Sequence, residues 1–138
     1  MNTKIIHCLD EQHKKDLLSL YQGAWWSKDR TPEDVEIILA NSSFYIGIVT
    51  EGSNQLIAFS RILTDGFQFS YIYDVIVDEA YRGYGLGKKL IETIINHPKL
   101  KNIKSMELVC RKEMMPFYSQ FGFTEDYNKS TSMRLLIA

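Results

Sequence analysis

A run of alternate glycines between an apolar strand and an amphipathic helix is the feature that most constrains this chain. Gly83, Gly85 and Gly87 follow a strand predicted over residues 68–77, and apolar side chains then recur at helical spacing over residues 85–96. Glycines let backbone N–H groups approach a ligand closely, and a helix N-terminus adds partial positive charge. The segment therefore predicts an anion-binding turn, the alternative being a turn that only needs positive φ angles.

The spacing of this turn excludes two common phosphate loops. A P-loop requires glycine where this chain has Arg82, and Ser or Thr where it has Lys89. The dinucleotide pattern GxGxxG requires a third glycine where Lys88 stands. The pattern that fits is RxxGxG, formed by Arg82, Gly85 and Gly87. Cations beside a helix N-terminus are electrostatically misplaced without an anion, so Arg82 and Lys88 favour a bound ligand.

Composition predicts one domain over residues 1–138. Hydrophobic residues make up 45% of the 138, enough for a core without metal or disulfide. The net charge of -1 argues against nucleic-acid binding driven by excess Lys and Arg. Cys8 and Cys110 are far apart in the sequence and form no CxxC pair, which indicates reduced thiols and no metal site. Neither a signal peptide nor an apolar stretch of membrane-spanning length is present, so we expect a cytoplasmic protein without a membrane partner.

Hydrophobic periodicity predicts an α/β fold, an α+β arrangement in which helices pack on the faces of a mixed sheet. Turn-forming residues separate the three middle strands, which favours an antiparallel meander. Thr31 as N-cap and Pro32 at the first helical position mark the start of the second helix. The predicted strands are residues 4–9, 44–50, 56–63, 68–77, 106–110 and 133–137; the predicted helices are residues 11–22, one starting at Thr31, 85–96 and 115–121.

The RxxGxG turn after a central strand resembles the acyl-CoA pyrophosphate loop of the GNAT superfamily of N-acetyltransferases. Residues 115–123, MPFYSQFGF, are similar to the second signature of that superfamily, an FY pair followed by a GF pair. The element order also matches its fold, which implies a central mixed sheet of about six or seven strands flanked by about four helices. The resemblance further admits a homodimer formed through the exposed edge of the last strand.

The resemblance implies an activity. It is the acetyl-CoA-dependent, metal-free transfer of an acetyl group directly to a primary amine, with a small-molecule amine favoured as acceptor. Two alternatives stay open: acetylation of protein Lys or N-terminal amines, and a catalytically silent module that senses CoA and binds another protein.

The resemblance also implies which residues bind acetyl-CoA. The backbone of Val75, Ile76 and Val77 would pair with the pantetheine arm, and an N–H near Ile76 would polarise the thioester carbonyl. Tyr118, the tyrosine of the FY pair, is the candidate acid for the CoA sulfur, the alternative being an aromatic that only packs under its helix. The N–H groups that would bind the pyrophosphate belong to Arg82, Gly83, Tyr84, Gly85, Leu86, Gly87 and Lys88.

Asp74 is the candidate general base, because burial in an apolar strand is expected to raise the pKa of its carboxyl group. The alternative is a buried carboxylate satisfied by a neighbouring Arg or by the backbone. The connection between the first two helices, residues 21–30, is expected to border the acceptor. Adjacent Trp residues are expected to face opposite ways, one in the core and one exposed, the alternative being that both pack in the core. The candidate acceptor-binding residues are Trp25, Trp26, Arg61 and Tyr73.

Overall fold

A five-stranded mixed sheet forms the larger part of the structure, a computed structural model that describes residues 1–138. The strands lie in the order β1-β2-β3-β4-β5, antiparallel from β1 to β4 and parallel between β4 and β5. This sheet belongs to a unit of residues 1–108, and residues 109–138 form a second, smaller unit. The elements are β1 (Thr3–Ile6), α1 (Glu11–Gln22), α2 (Pro32–Asn41), β2 (Phe44–Thr50), β3 (Leu56–Thr64), β4 (Phe69–Val77), α3 (Leu86–Ile95), β5 (Ser105–Glu107) and, in the second unit, α4 (Met115–Ser119).

Local capping fixes where the first two helices begin. The Asp10 carboxylate accepts a hydrogen bond from the backbone N–H of His13, and the His13 ring accepts one from the backbone N–H of Asp10. Thr31 and Asp34 exchange the same pair of bonds at the start of α2, with Pro32 at its first position. These are capping boxes, which satisfy N–H groups that have no partner inside a helix. The predicted starts of both helices are confirmed.

Apolar side chains fill both faces of the sheet. Tyr21 and Leu17 of α1 pack with Phe59 of β3 in one buried cluster. Successive strand residues face opposite ways, so Ile46 and Ile48 of β2 face away from Val49, which belongs to that cluster. Helix α3 contacts β2, β3 and β4, and its buried residues are Leu86, Leu90, Ile91 and Ile94. The expected α/β fold and antiparallel meander are confirmed.

The sheet has fewer strands than the six or seven expected. Residues 133–137 were expected to form a strand, and the structure shows no regular secondary structure there. Met133, Leu135 and Ile137 are each more than 80% exposed. A short apolar run has high β-propensity, but a strand exists only where a neighbouring strand supplies hydrogen-bond partners, which sequence pattern cannot specify. No helix of the chain combines the length and apolar character that membrane crossing requires.

Gly47 of β2 lies where the chain has no room for a side chain. A β-carbon there would lie 2.8 Å from Leu56 Cδ1 and 3.0 Å from Ile6 Cγ1. Gly47→Ala is therefore expected to lower the free energy of unfolding by about 1–3 kcal/mol through overpacking, measured by urea denaturation. Gly52→Ala is the control, because nothing lies within 4 Å of its β-carbon position. Equal stability of the two variants would contradict this account.

Candidate active site

A β-bulge interrupts the pairing of β3 with β4 at Asp74. The register shifts between Phe59 and Arg61, and Asp74 adopts a φ of 56°, in the left-handed region. A bulge places an extra residue in one strand and re-aims its side chains. Arg61 consequently contacts two successive residues of β4, with Nε 2.7 Å from Asp74 Oδ2 and its guanidinium 5.2 Å from the centre of the Tyr73 ring.

Three side chains donate hydrogen bonds to the Asp74 carboxylate. Tyr21 Oη and Arg30 Nη1 each lie 2.9 Å from Oδ2, and Arg61 Nε lies closer still. Arg30 Nη2 lies 3.5 Å from Oδ1, so this guanidinium approaches as a fork. The Asp74 side chain is 7% exposed. The sequence indicates that a buried carboxylate needs a partner, but Tyr21 and Arg30 lie on other elements, and no motif links them to Asp74.

The pKa of Asp74 lies below its ordinary value, opposite to the direction expected from the sequence. Burial raises this pKa, but the hydrogen bonds and positive charges of Arg30 and Arg61 together outweigh burial. The carboxyl is therefore ionised at neutral pH, and all three donors already occupy it. This arrangement matches the alternative of a carboxylate paired with Arg, and its lowered pKa gives Asp74 little capacity as a general base.

Beyond the bulge, one edge of β4 has no strand beside it. β5 pairs with β4 only from Phe69 to Tyr71, and β4 continues to Val77. On its other side the strand pairs with β3 as far as Val77. An unpaired strand edge presents N–H and C=O groups to any extended ligand that carries amides. The Val75–Val77 backbone expected to hold the pantetheine arm lies along this edge.

The Gly-rich turn follows β4 and leads directly into α3. Gly83 and Gly85 have φ angles of 87° and 77°, and no atom lies within 4 Å of the position a β-carbon would take at either residue. Gly85 is the N-cap of α3, and no side chain caps this helix, unlike α1 and α2. Lys88 follows in the first turn of the helix and Arg82 precedes the turn, both exposed. The uncapped N–H groups and two cations fit an anion such as a pyrophosphate.

Gly87 differs from the other two glycines of the turn. It lies inside α3, within Leu86–Ile95, and has no positive φ. Tyr84 is 64% exposed, whereas Leu86 is buried in the core. The Leu86 side chain therefore anchors the helix, and only its backbone N–H, at the first helical position, is free to face a ligand.

Trp25 and Trp26 are both exposed, so the expectation that one of them lies in the core is wrong. They are 64% and 40% exposed, respectively. Residues 24–29 form turns instead of a regular element, so the alternation expected of neighbouring residues does not apply. The Trp26 ring lies edge-on to Tyr21 at 6.3 Å, and the Arg30 guanidinium lies 5.5 Å from the Trp26 ring centre. Trp26 thus borders the Asp74 cluster.

Tyr118 lies in α4 of the smaller unit and is 8% exposed. Its ring packs edge-on against Phe117 and Phe123, with ring centres 5.0 and 6.1 Å away. Burial, together with the nearby Cys110 thiol, raises the pKa of Tyr118 to about 12. The hydroxyl has no hydrogen-bond partner in the protein, and its oxygen is not sealed from solvent. It is therefore a protonated donor that is free to bind a ligand atom.

The fold and the uncapped, cationic turn define an α/β class of protein in which an anion-fitting turn follows the fourth strand of a mixed sheet. Residues 12–123 match the Acetyltransferase (GNAT) family. The chain belongs to this family.

Named relatives are similar to this chain over most of its length. An uncharacterized N-acetyltransferase, ycf52, of Pyropia yezoensis is 29% identical over 80% of the chain and 64% of the relative. A ycf52-like N-acetyltransferase of Prochlorococcus marinus is 31% identical over 79% of the chain and 61% of the relative. The chain thus spans somewhat less than two thirds of the length of these relatives. A GNAT-family protein of Xanthomonas campestris pv. campestris has the same fold, with a TM-score of 0.84 at 24% identity, covering 99% of this chain and 94% of that one.

Proposed function

We propose that the protein is an acetyl-CoA-dependent N-acetyltransferase that moves an acetyl group directly to the primary amine of a small molecule. The observation that carries this proposal is the unpaired edge of β4, which ends at Val77, close in sequence to the uncapped N-terminus of α3. A ligand with an amide-bearing arm and a pyrophosphate matches both features. Family membership supports the same cosubstrate.

Acetyl-CoA supplies an activated acetyl thioester, and the chain binds it through its backbone. Val75, Ile76 and Val77 hold the pantetheine arm by strand-like hydrogen bonds, and the N–H near Ile76 polarises the thioester carbonyl. N–H groups from Gly83 to Lys88 bind the pyrophosphate, with Arg82 and Lys88 adding full charges.

The reaction forms one bond and breaks one. The acceptor nitrogen attacks the carbonyl carbon, the C–N bond forms, and the C–S bond breaks. Tyr118 donates a hydrogen bond to the departing sulfur as negative charge develops on it, and the CoA thiolate leaves and takes its proton from solvent. The amine proton passes to water, because the Asp74 carboxyl has a lowered pKa and already accepts hydrogen bonds from three side chains.

Calorimetric titration with acetyl-CoA tests the first step, with ATP and NAD as controls. We expect saturable binding of acetyl-CoA alone, with a Kd tighter than about 100 μM, or roughly -5.5 kcal/mol. Absence of binding at millimolar acetyl-CoA would refute the proposal. Binding without release of CoA thiol in any mixture of amines or peptides would instead favour a silent CoA-sensing module. Label transfer to peptides but not to small amines would favour a protein acetyltransferase.

Gly85→Ala is expected to weaken acetyl-CoA binding about 10-fold. The new side chain disfavours the φ of 77° by about 1–2 kcal/mol and extends into the open space beside the turn. Gly66→Ala is the matched control, because Gly66 has a φ of 78° and equally open surroundings but lies in the turn between β3 and β4. Calorimetry measures the acetyl-CoA affinity of both variants. An equal loss of affinity in the two would show that backbone strain, and not a change in the binding turn, weakens binding.

A further inference from the structure

Most of the donor capacity of Arg61 is unused. A guanidinium carries five N–H donors, and Arg61 makes one hydrogen bond within the protein, from Nε to Asp74. Its side chain is 18% exposed. No buried side-chain nitrogen of the chain lacks a partner, so Nη1 and Nη2 reach solvent. Four N–H donors in a planar fork are thus available to a ligand.

The cluster around Asp74 carries an excess positive charge. Arg30 and Arg61 pair with the single carboxylate of Asp74, and no other carboxylate lies within ion-pairing distance of either guanidinium. Tyr21 completes the cluster as a neutral donor, because burial and the negative charge of Asp74 raise the pKa of its hydroxyl. Two cations against one anion leave one net positive charge in a largely buried setting.

The unused donors lie beside the segment that is proposed to hold the acyl arm. Arg61 pairs with Tyr73 in the β3–β4 ladder, and its guanidinium lies over the Tyr73 ring. Val75 follows two residues later in β4, directly after the bulge at Asp74. The Tyr73 ring is 38% exposed and forms an accessible wall beside the guanidinium.

We propose that the acceptor is a small amine that also carries an anionic group, a carboxylate or a phosphate, and that Arg61 Nη1 and Nη2 bind this group. The inference rests on the proposed acetyltransferase function. An amine reaches the site mainly as an ammonium ion, which the excess positive charge of the cluster repels. An anionic group on the same molecule turns this repulsion into attraction, and its paired oxygens match the fork of the guanidinium. Polyamines lack such a group and are excluded as good acceptors.

Paired acceptors test this inference on the unaltered protein. Ethanolamine is compared with phosphoethanolamine, tyramine with tyrosine, and propylamine with β-alanine, by release of CoA thiol. We expect kcat/KM to be at least about 10-fold higher for the anionic member of at least one pair, since a charge-assisted hydrogen bond contributes about 1.5–3 kcal/mol. The pair that responds distinguishes a carboxylate from a phosphate.

The outcomes separate the two proposals. Equal or better use of the uncharged members would overturn the inference and leave the acetyltransferase function intact. Turnover of none of the pairs by protein that binds acetyl-CoA would also overturn the inference. Failure to bind acetyl-CoA would overturn the proposed function itself.

Arg61→Gln tests the residue that is assigned to the anion. We expect kcat/KM to fall about 30-fold more for the anionic acceptor than for its uncharged partner, with an unchanged Kd for acetyl-CoA. Because Asp74 loses a partner in this variant, Arg61→Lys is measured beside it: it keeps the charge but loses the fork, and an intermediate fall is expected. Arg134→Gln, an exposed site far along the sequence, is the control. Retention of the full preference for the anionic acceptor in folded Arg61→Gln would overturn the assignment.

Discussion

Asp74→Asn is expected to lower the free energy of unfolding by about 3 kcal/mol and the Tm by about 10 °C. The substitution leaves the guanidiniums of Arg30 and Arg61 facing each other without the carboxylate that separates their charges. Asn keeps the shape of Asp and tolerates the left-handed φ of 56° at this position, so the backbone conformation is preserved. The fall in the free energy of unfolding therefore reports the contribution of the Asp74 charge. Thermal and urea denaturation measure this fall.

Two further variants serve as comparisons for the stability loss expected of Asp74→Asn. Tyr21→Phe removes one neutral donor from Asp74 while two charged donors remain, so a loss of about 1 kcal/mol is expected. Asp29→Asn removes an exposed carboxylate from the same connection and should change stability by less than about 0.5 kcal/mol. A loss from Asp74→Asn no larger than that from Asp29→Asn would mean that the ion pairs contribute nothing net to folding.

The pH dependence has a defined sign. The pKa of Asp74 is lower in the folded protein than its ordinary value of 3.8. Its ionisation therefore stabilises the fold above that value, and this contribution is lost as the pH falls through the folded pKa. The stability difference between the wild-type protein and Asp74→Asn should accordingly narrow below about pH 4.

How far each element follows from the sequence depends on how local its determinants are. The starts of α1 and α2 rest on residues three positions apart, Asp10 with His13 and Thr31 with Asp34, and both are predicted correctly. The antiparallel meander rests on turns between neighbouring strands. The strand expected at residues 133–137 depends on a partner strand that local pattern cannot supply, and it is absent.

In the candidate site, too, the features with local determinants are predictable from the sequence and those that depend on distant residues are not. The Gly-rich turn is contiguous, so its glycines and cations are recognisable in the sequence, although only Gly83 and Gly85 have positive φ angles. The Asp74 cluster draws on α1, the connection after it, β3 and β4, and Asp74 itself lies at the bulge in β4. The sequence indicated burial of Asp74 but not its partners, and the direction of its pKa shift depends on those partners.

The raised pKa of Tyr118 limits how the hydroxyl can act. With a pKa of about 12, the proton is present throughout the working pH range. A thiol titrates near about 8.5, so complete proton transfer from Tyr118 to a free thiolate is uphill by about 3.5 pK units. In the proposed reaction the hydroxyl would therefore act chiefly through a hydrogen bond that strengthens as charge develops on the sulfur, and its effect would lie at the lower end of the range for acid catalysis.

Tyr118→Phe is accordingly expected to lower kcat about 100-fold while the Kd for acetyl-CoA changes little. The phenyl ring keeps the packing against Phe117 and Phe123, and the lost hydroxyl has no partner in the protein, so the Tm should stay within a few degrees. Steady-state kinetics and calorimetry separate the two effects, and Tyr45→Phe, the same change in β2, controls for loss of a hydroxyl elsewhere. Equal kcat values for Tyr118→Phe and Tyr45→Phe would leave Tyr118 as a packing residue. A fall confined to Tyr118→Phe would place the hydroxyl at the departing sulfur, because no other step of the proposed reaction requires it.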